Sequence, residues 1–144
     1  MIDGRTSVRV AVNGYGVIGK RMADAVAAQD DMVLSGIADV ATDWRVTAAS
    51  AKGYRVHGAT PDHSRAMEDA GLAVAGDLDD LLPDADIVVD CTPKKVAAGN
   101  IPRYRERGLR FIVQGGEEHA VTGHSFSAEN NYVSALGRDA TRVV

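Results

Sequence analysis

Val8-Arg9-Val10-Ala11-Val12-Asn13-Gly14-Tyr15-Gly16-Val17-Ile18-Gly19-Lys20-Arg21 is the stretch that decides the fold. Residues 8–13 are short, apolar and β-branched, which marks a strand. Gly14, Gly16 and Gly19 follow at once in the pattern G-x-G-x-x-G. Over residues 17–29 the apolar side chains Ile18, Met22, Ala25 and Val26 recur at helical spacing. Asp30 and Asp31 interrupt that pattern, and residues 32–38 read as a second strand that ends at Asp39. Strand, glycine turn, helix and strand in about 30 residues make the βαβ unit of a parallel sheet. The expected fold class is therefore α/β, a Rossmann-type doubly wound, mostly parallel sheet with helices on both faces.

The glycine pattern alone is weak, but here it has its full context. A strand precedes it, a helix follows it, and Asp39 stands twenty residues after Gly19. Gly14 permits the tight turn, Gly16 lets backbone approach a pyrophosphate, and Gly19 lets the helix pack on the strand. The helix turns its unpaired N–H groups and positive dipole end towards the phosphates. Lys20 and Arg21 add charge of the sign a phosphate attracts. The expected cofactor-binding backbone thus runs through Gly14, Tyr15, Gly16, Val17, Ile18 and Gly19. A carboxylate at Asp39 accepts the ribose hydroxyls of NAD and repels the 2′-phosphate of NADP, so NAD is the preferred cofactor and NADP the second. The bland reading makes the glycines a mere strand–helix turn and Asp39 a surface residue, against the agreement in spacing.

Downstream the pattern continues. Residues 43–51 suit a helix, 54–59 a strand closed by Pro61, and 62–70 a helix capped by Asp62 and stopped by Gly71. Residues 72–75 suit a short strand, and Asp77 suits the cap of a short helix reaching Leu82. Ile87-Val88-Val89-Asp90 reads as a buried strand that runs into Cys91-Thr92-Pro93. The helix after it, reaching towards Arg107, has to be kinked or divided at Pro102. Residues 109–114 form the next strand, stopped by Gly115-Gly116. Residues 117–137 carry no clear period, and Thr141-Arg142-Val143-Val144 begins a further strand. Ligands bind at the carboxyl ends of strands in open parallel sheets. That adds Cys91, Thr92, Pro93, Gly115 and Gly116 to the expected cofactor contacts.

Bulk properties set limits. The chain has 144 residues, the size of one domain, with 45% apolar and 25% charged residues. A formal charge of -4 gives no basic face for nucleic acid and no attraction to an anionic membrane. No apolar run reaches the about 20 residues that span a bilayer. The opening residues 1–7 lack the apolar stretch of an export signal, and the chain reads as cytoplasmic. The single cysteine, Cys91, excludes an internal disulfide. As a nucleophile Cys91 needs a nearby base or positive site, for which only the sequence neighbours Lys94 and Lys95 offer themselves. His57, His63, His119 and His124 show no metal-ligand spacing and read as solvated loop residues, so no metal site is expected. Trp44 suits either a cover for the adenine or core packing.

The glycine loop, Asp90-Cys91-Thr92-Pro93-Lys94, Gln114-Gly115-Gly116-Glu117 and Thr141-Arg142-Val143-Val144, in this order and spacing, resemble the archaeal (type II) glyceraldehyde-3-phosphate dehydrogenases. The resemblance covers residues 8–144. It implies a phosphorylating dehydrogenase: a cysteine attacks glyceraldehyde 3-phosphate, hydride passes to NAD(P), and phosphate releases 1,3-bisphosphoglycerate. What carries over to this chain is cofactor binding. Val17 and Ile18 match positions whose backbone meets the pyrophosphate, and Gly115 or Gly116 matches the contact near the nicotinamide. In the family, Thr-Arg-Val-Val runs into the Ser-Cys-Asn-Thr-Thr segment that holds the nucleophile. Here the sequence stops at Val144, and Cys91 is not that nucleophile. The resemblance thus makes residues 1–144 the cofactor domain without the catalytic domain, with no catalytic residue of its own and no turnover alone. It also implies a homo-oligomer, a tetramer in the family, and a domain that self-associates through the surface left for its partner. A stand-alone nucleotide-binding module or redox sensor is the alternative. A semialdehyde dehydrogenase or imine-forming reductase fits the closing motifs less well.

Overall fold

A computed structural model describes Gly4 and residues 6–144. Residues 1–3 and 5, part of the opening without an export signal, lie outside the described residues. Seven strands form one sheet: β1 (Val8–Asn13), β2 (Met32–Asp39), β3 (Val56–Gly58), β4 (Ile87–Asp90), β5 (Arg110–Val113), β6 (Ser125–Phe126) and β7 (Ala140–Val143). Their order is β3-β2-β1-β4-β5-β7-β6, and every pairing is parallel. The helices are α1 (Val17–Ala27), α2 (Trp44–Ala51), α3 (Pro61–Asp69), α4 (Leu78–Leu81), α5 (Val96–Glu106), α6 (His119–Thr122) and α7 (Ala128–Ala135). The sheet is the α/β Rossmann-type arrangement its opening motif predicts. The strand order reverses direction of growth between β1 and β4, at the switch point where such sheets form a crevice.

Both faces of the sheet are covered, which is why its strands are apolar throughout rather than alternating. The β1 side chains show the division. Ala11 packs with Leu78, Leu81, Tyr104 and Phe111 on the face covered by α4 and α5. Val12 packs with Ala23, Ile37, Val46, Ala49 and Met67 on the face covered by α1, α2 and α3. Half-buried Asp86 closes the lower end, accepting from the Arg9 amide (2.8 Å) and guanidinium (3.0 Å).

Several local expectations need correction. The cap of α3 is Thr60, whose hydroxyl accepts from the His63 amide, and Pro61 opens the helix instead of closing a strand. Asp62 is therefore inside the first turn, where its charge still suits the helix dipole. Residues 72–75 are not a strand. They run beside the three-residue edge β3 through Ala75 N–H to Val56 O (2.8 Å), and then Gly58 N–H reaches back to Gly76 O (3.0 Å). Pro102 does not divide α5, which runs unbroken from Val96 to Glu106. Pro102 and Ala98 share the exposed face, so the carbonyl deprived of its N–H partner faces water. The unassigned stretch 117–137 holds α6, β6 and α7, with a break in α7 at Asn131 (φ -143°). It is tied to the rest of the sheet by long-range hydrogen bonds, such as Arg142 Nη1 on β7 to the Glu117 carbonyl (2.7 Å).

Two histidines expected in solvent are buried. His124 bridges Thr141 Oγ1 (2.7 Å) and Ser134 Oγ (3.0 Å), joining β7 to α7. His57 is fully buried on β3, with Nδ1 3.3 Å from the Ile37 carbonyl and Nε2 without a partner. The carbonyl fixes the Nδ1–H tautomer. Burial is the main cause that holds the His57 pKa below its ordinary value. The unfolded chain then binds a proton below about pH 6.5 that the folded protein refuses, so stability falls as pH drops through that value. Thermal melts between pH 7.5 and 5 should show this loss, at most about 1.4 kcal/mol per pH unit, and His57→Leu should remove it. An unchanged slope in His57→Leu would assign the acid sensitivity to other groups.

Candidate functional site

The motif residues gather where β1, β2 and β4 end. Gly14 adopts φ +91°, which side chains rarely adopt, and its position lies against the Thr92 and Cys91 backbone. A Cβ on Gly19 would overlap the Gly14 carbonyl oxygen, so α1 approaches β1 as closely as glycine allows. Gly16 behaves differently. A Cβ there meets no protein atom within 4 Å, and Gly16 lines a cleft. Its backbone is the N-cap of the eleven-residue α1, and no side chain caps that end. Free N–H groups and the positive dipole end are thus presented beside an open space of the kind an anion fills.

The cleft encloses about 520 Å³. Gly14, Gly16, Asp39, Cys91, Thr92 and Pro93 line it, so six of the expected contacts meet in one place. Sequence reasoning missed Asn13, Val40, Arg45, Ala59, Thr60, His63, Val96, Asn100 and Arg103, which complete the lining. Val40, Ala59 and Thr60 follow strands and Arg45, His63 and Val96 open helices, which is a weak signal, whereas nothing local marks Asn13 at the end of β1 or Asn100 and Arg103 within α5. The other expected residues lie elsewhere. The Tyr15 side chain is fully buried in the core. Val17 and Ile18 are exposed on the first turn of α1, and Gly19 is buried under it. Gly115 and Gly116 do not line the cleft; Gly115 backs the Thr92 carbonyl instead. Trp44 is neither core nor cleft wall: it is exposed, with Lys20 Nζ 5.6 Å from its ring centroid. A larger hollow of about 620 Å³ lies at the opposite edge, by Gly108, Leu109, Asp139 and Ala140. It has no glycine loop and no helix N-terminus, so the smaller cleft is the candidate site.

Asp39 is more engaged than its place in the motif suggests. Its Oδ2 accepts from the Tyr15 amide, and its Oδ1 from the amides of Val40 (2.6 Å) and Ala41 (2.9 Å). A carboxylate has about four lone-pair sites, so one remains for a ligand hydroxyl while the three amides stay bound. Asp39 therefore shapes the glycine loop as well as facing the cleft. Arg45 is held at the same rim by Asp43 (Nη2–Oδ2 2.8 Å).

Beneath the cleft lies a buried polar network centred on Asp90, which is 0% exposed. Tyr104 Oη donates to Asp90 Oδ2 (2.7 Å) and Asn100 Nδ2 reaches the same oxygen (3.2 Å). Asn13 Nδ2 donates to Tyr104 Oη (2.8 Å). The Thr92 amide (3.0 Å) and hydroxyl both donate to Asp90 Oδ1. Burial first, and then the Asp90 carboxylate, push the Tyr104 phenol up, so it remains a donor. This network fixes Asn13, Thr92 and Asn100, three of the cleft residues, from below. A buried carboxylate satisfied on both oxygens avoids the cost of an unpaired charge.

Cys91 is half-buried beside the glycine loop. Burial first, and then Asp90, push its thiol up to about 12. Such a thiol is almost wholly protonated near neutrality and is a poor nucleophile. Among the described residues no group of three His, Cys, Asp or Glu side chains is arranged to hold a metal.

Comparison with known proteins agrees with this geometry. The family described as dihydrodipicolinate reductase, N-terminus, matches residues 8–123. A glyceraldehyde-3-phosphate dehydrogenase of Methanothermus fervidus is 47% identical over 135 residues, 94% of this chain and 40% of that protein. One from Methanococcoides burtonii is 50% identical over 139 residues, 96% of this chain and 41% of that protein. The chain thus spans about two fifths of the length of the curated relatives it matches. Among solved structures, the apo scyllo-inositol dehydrogenase of Lactobacillus casei superposes with a TM-score of 0.61 at 14% identity, over 95% of this chain and 36% of that one. At that identity the likeness is one of fold.

Two measurements probe the site. Cys91 should react with iodoacetamide at pH 8 about a thousand times more slowly than a free cysteine, because its thiolate fraction is smaller by about that factor; alkylation at the free-cysteine rate would contradict its burial. The Tyr15 hydroxyl is buried with no hydrogen-bond partner. Tyr15→Phe removes that cost at constant shape and should stabilise the fold by about 1 kcal/mol in denaturant titration, whereas a loss of stability would reveal a partner for the hydroxyl.

Proposed function

The chain belongs to the family described as dihydrodipicolinate reductase, N-terminus, its relatives over almost its whole length are archaeal glyceraldehyde-3-phosphate dehydrogenases, and from that premise we propose that residues 1–144 are the NAD(P)-binding domain of a phosphorylating glyceraldehyde-3-phosphate dehydrogenase. The observation that carries this reading is the open space over Gly16, beside the uncapped N-terminus of α1 and at the sheet's switch point. A pyrophosphate fits that position by charge and by size.

The motif residues then each have a task. Gly14, Gly16 and the first turn of α1, with Val17 and Ile18, offer amides to the pyrophosphate. Asp39 takes a ribose hydroxyl on its remaining lone pair. Cys91, Thr92 and Pro93 form the wall below, and Gly115 and Gly116 support that wall towards the nicotinamide end. When bound, the nicotinamide accepts hydride in the conversion of glyceraldehyde 3-phosphate and phosphate to 1,3-bisphosphoglycerate. The contribution of this chain is to bind and orient the cofactor. Its one cysteine is a protonated, half-buried thiol, so the chain alone should not turn over. In this reading the enzyme works in the cytoplasm as a homo-oligomer. No helix among the described residues is long and apolar enough to cross a membrane.

Asp39 favours NAD over NADP. A 2′-phosphate would bring a second negative charge to a carboxylate, and Arg45 at the same rim is already paired with Asp43. Calorimetric titration should therefore show NAD binding, with NADP weaker by about tenfold or more, a difference of about 1.4 kcal/mol. Asp39→Asn should narrow that gap. Equal affinities for NAD and NADP would defeat the role of Asp39, and binding of neither would defeat the cofactor reading.

A further inference from the structure

Glu117 is a carboxylate the site does not explain. It follows the Gly115-Gly116 turn and is only 3% exposed, yet it does not line the cleft. Its Oε1 accepts the backbone N–H of Lys95. Lys95 has φ 75°, and it is the one residue other than glycine with a left-handed backbone among those described. That conformation is disfavoured for a side chain with a Cβ, so something must hold it there. Lys95 is also the N-cap of α5, and no side chain caps that helix locally. Glu117 supplies the missing acceptor from 22 residues away.

The latch is braced on both sides. Arg142 Nη1 on β7 donates to the Glu117 carbonyl (2.7 Å), and Arg142 Nε donates to Ser125 Oγ on β6 (2.7 Å). Lys94 Nζ lies 3.8 Å from Glu118 Oε1 across the same junction. A Cβ on Gly115 would overlap the Thr92 carbonyl oxygen, so the two loops interlock without side chains between them. Residues 92–96 run directly through this junction, and Thr92, Pro93 and Val96 are cleft wall.

We propose that Glu117 is a positioning residue for the cofactor cleft: its carboxylate holds the Lys95 amide, and so fixes the loop from Thr92 to Val96 in the shape the dinucleotide needs. The role rests on the cofactor reading given above. It makes β6 and β7, which contribute nothing to the cleft directly, part of what preorganises it. The bond is charge-assisted and part-buried, with its acceptor on a residue only 3% exposed, the kind whose loss is expensive.

The test combines NAD titration with amide hydrogen exchange at Lys95. In Glu117→Ala the Lys95 amide should lose its protection and the Kd for NAD should rise about tenfold. Glu117→Gln keeps a carbonyl acceptor and should stay within about threefold of the parent. Adding Lys95→Gly to Glu117→Ala removes the backbone penalty and should recover most of the affinity. A role limited to general stability would not be rescued by glycine at that position. Unchanged NAD affinity in Glu117→Ala, or a Lys95 amide that stays protected, overturns the proposal. If the parent binds neither NAD nor NADP while its Lys95 amide still depends on Glu117, the latch exists but the cofactor reading fails, and the proposed role falls with it.

Discussion

Gly19 leaves no space for a side chain between α1 and the Gly14 carbonyl, and the rest of the site follows from that contact. The approach brings the first turn of α1 down over the ends of β1 and β4, where a Cβ on Gly19 would also meet the Cys91 Cβ at 3.4 Å. Any larger residue would lift the helix and carry its N-terminus away from the crevice. The same closeness buries Cys91 and leaves its thiol protonated. One steric constraint thus places the positive end of a helix, shapes a cleft and silences a potential nucleophile.

Charge is handled by a common device at three places around the cleft. Asp39, Asp90 and Glu117 are each bound to backbone N–H groups of loops that follow strands. A carboxylate is well suited to this because it accepts several donors and gains more from each than a neutral oxygen does. Loops at the carboxyl edge of a parallel sheet have no ladder partners for their amides. Carboxylates at strand ends and on a neighbouring loop satisfy them instead, and the Asp39–Tyr15 and Glu117–Lys95 bonds tie separate segments to one another.

The central βαβ unit was legible because three signals coincide there: β-branched runs, glycines at fixed spacing and an acidic residue at the end of β2. β4 and β5 were legible as apolar runs because both faces of each are covered. The misreadings have a shared cause. Thr60 and Asp62 are both good caps by type, and only the backbone turn at Thr60 decides between them. His57 and His124 look like loop residues until the Ile37 carbonyl and the Thr141 hydroxyl are known to face them. Residues 117–137 owe their order to such distant partners, and no local period records them. The cleft was half visible. The glycine loop announces itself, whereas Asn13, Arg45, Asn100 and Arg103 arrive from three separate elements that only the fold brings together.

The strand order has a consequence for synthesis. β1 is an inner strand of the sheet, yet its two neighbours are made at different times. β2 is complete at Asp39, while β4 does not begin until Ile87. At about 5–20 residues per second, the second edge of β1 waits between about two and ten seconds on the ribosome for its partner. During that interval an apolar strand with unpaired amides and carbonyls is exposed, which is the feature that promotes association between nascent chains. Asp86, which accepts from the Arg9 amide and guanidinium at the start of that edge, emerges only one residue ahead of β4.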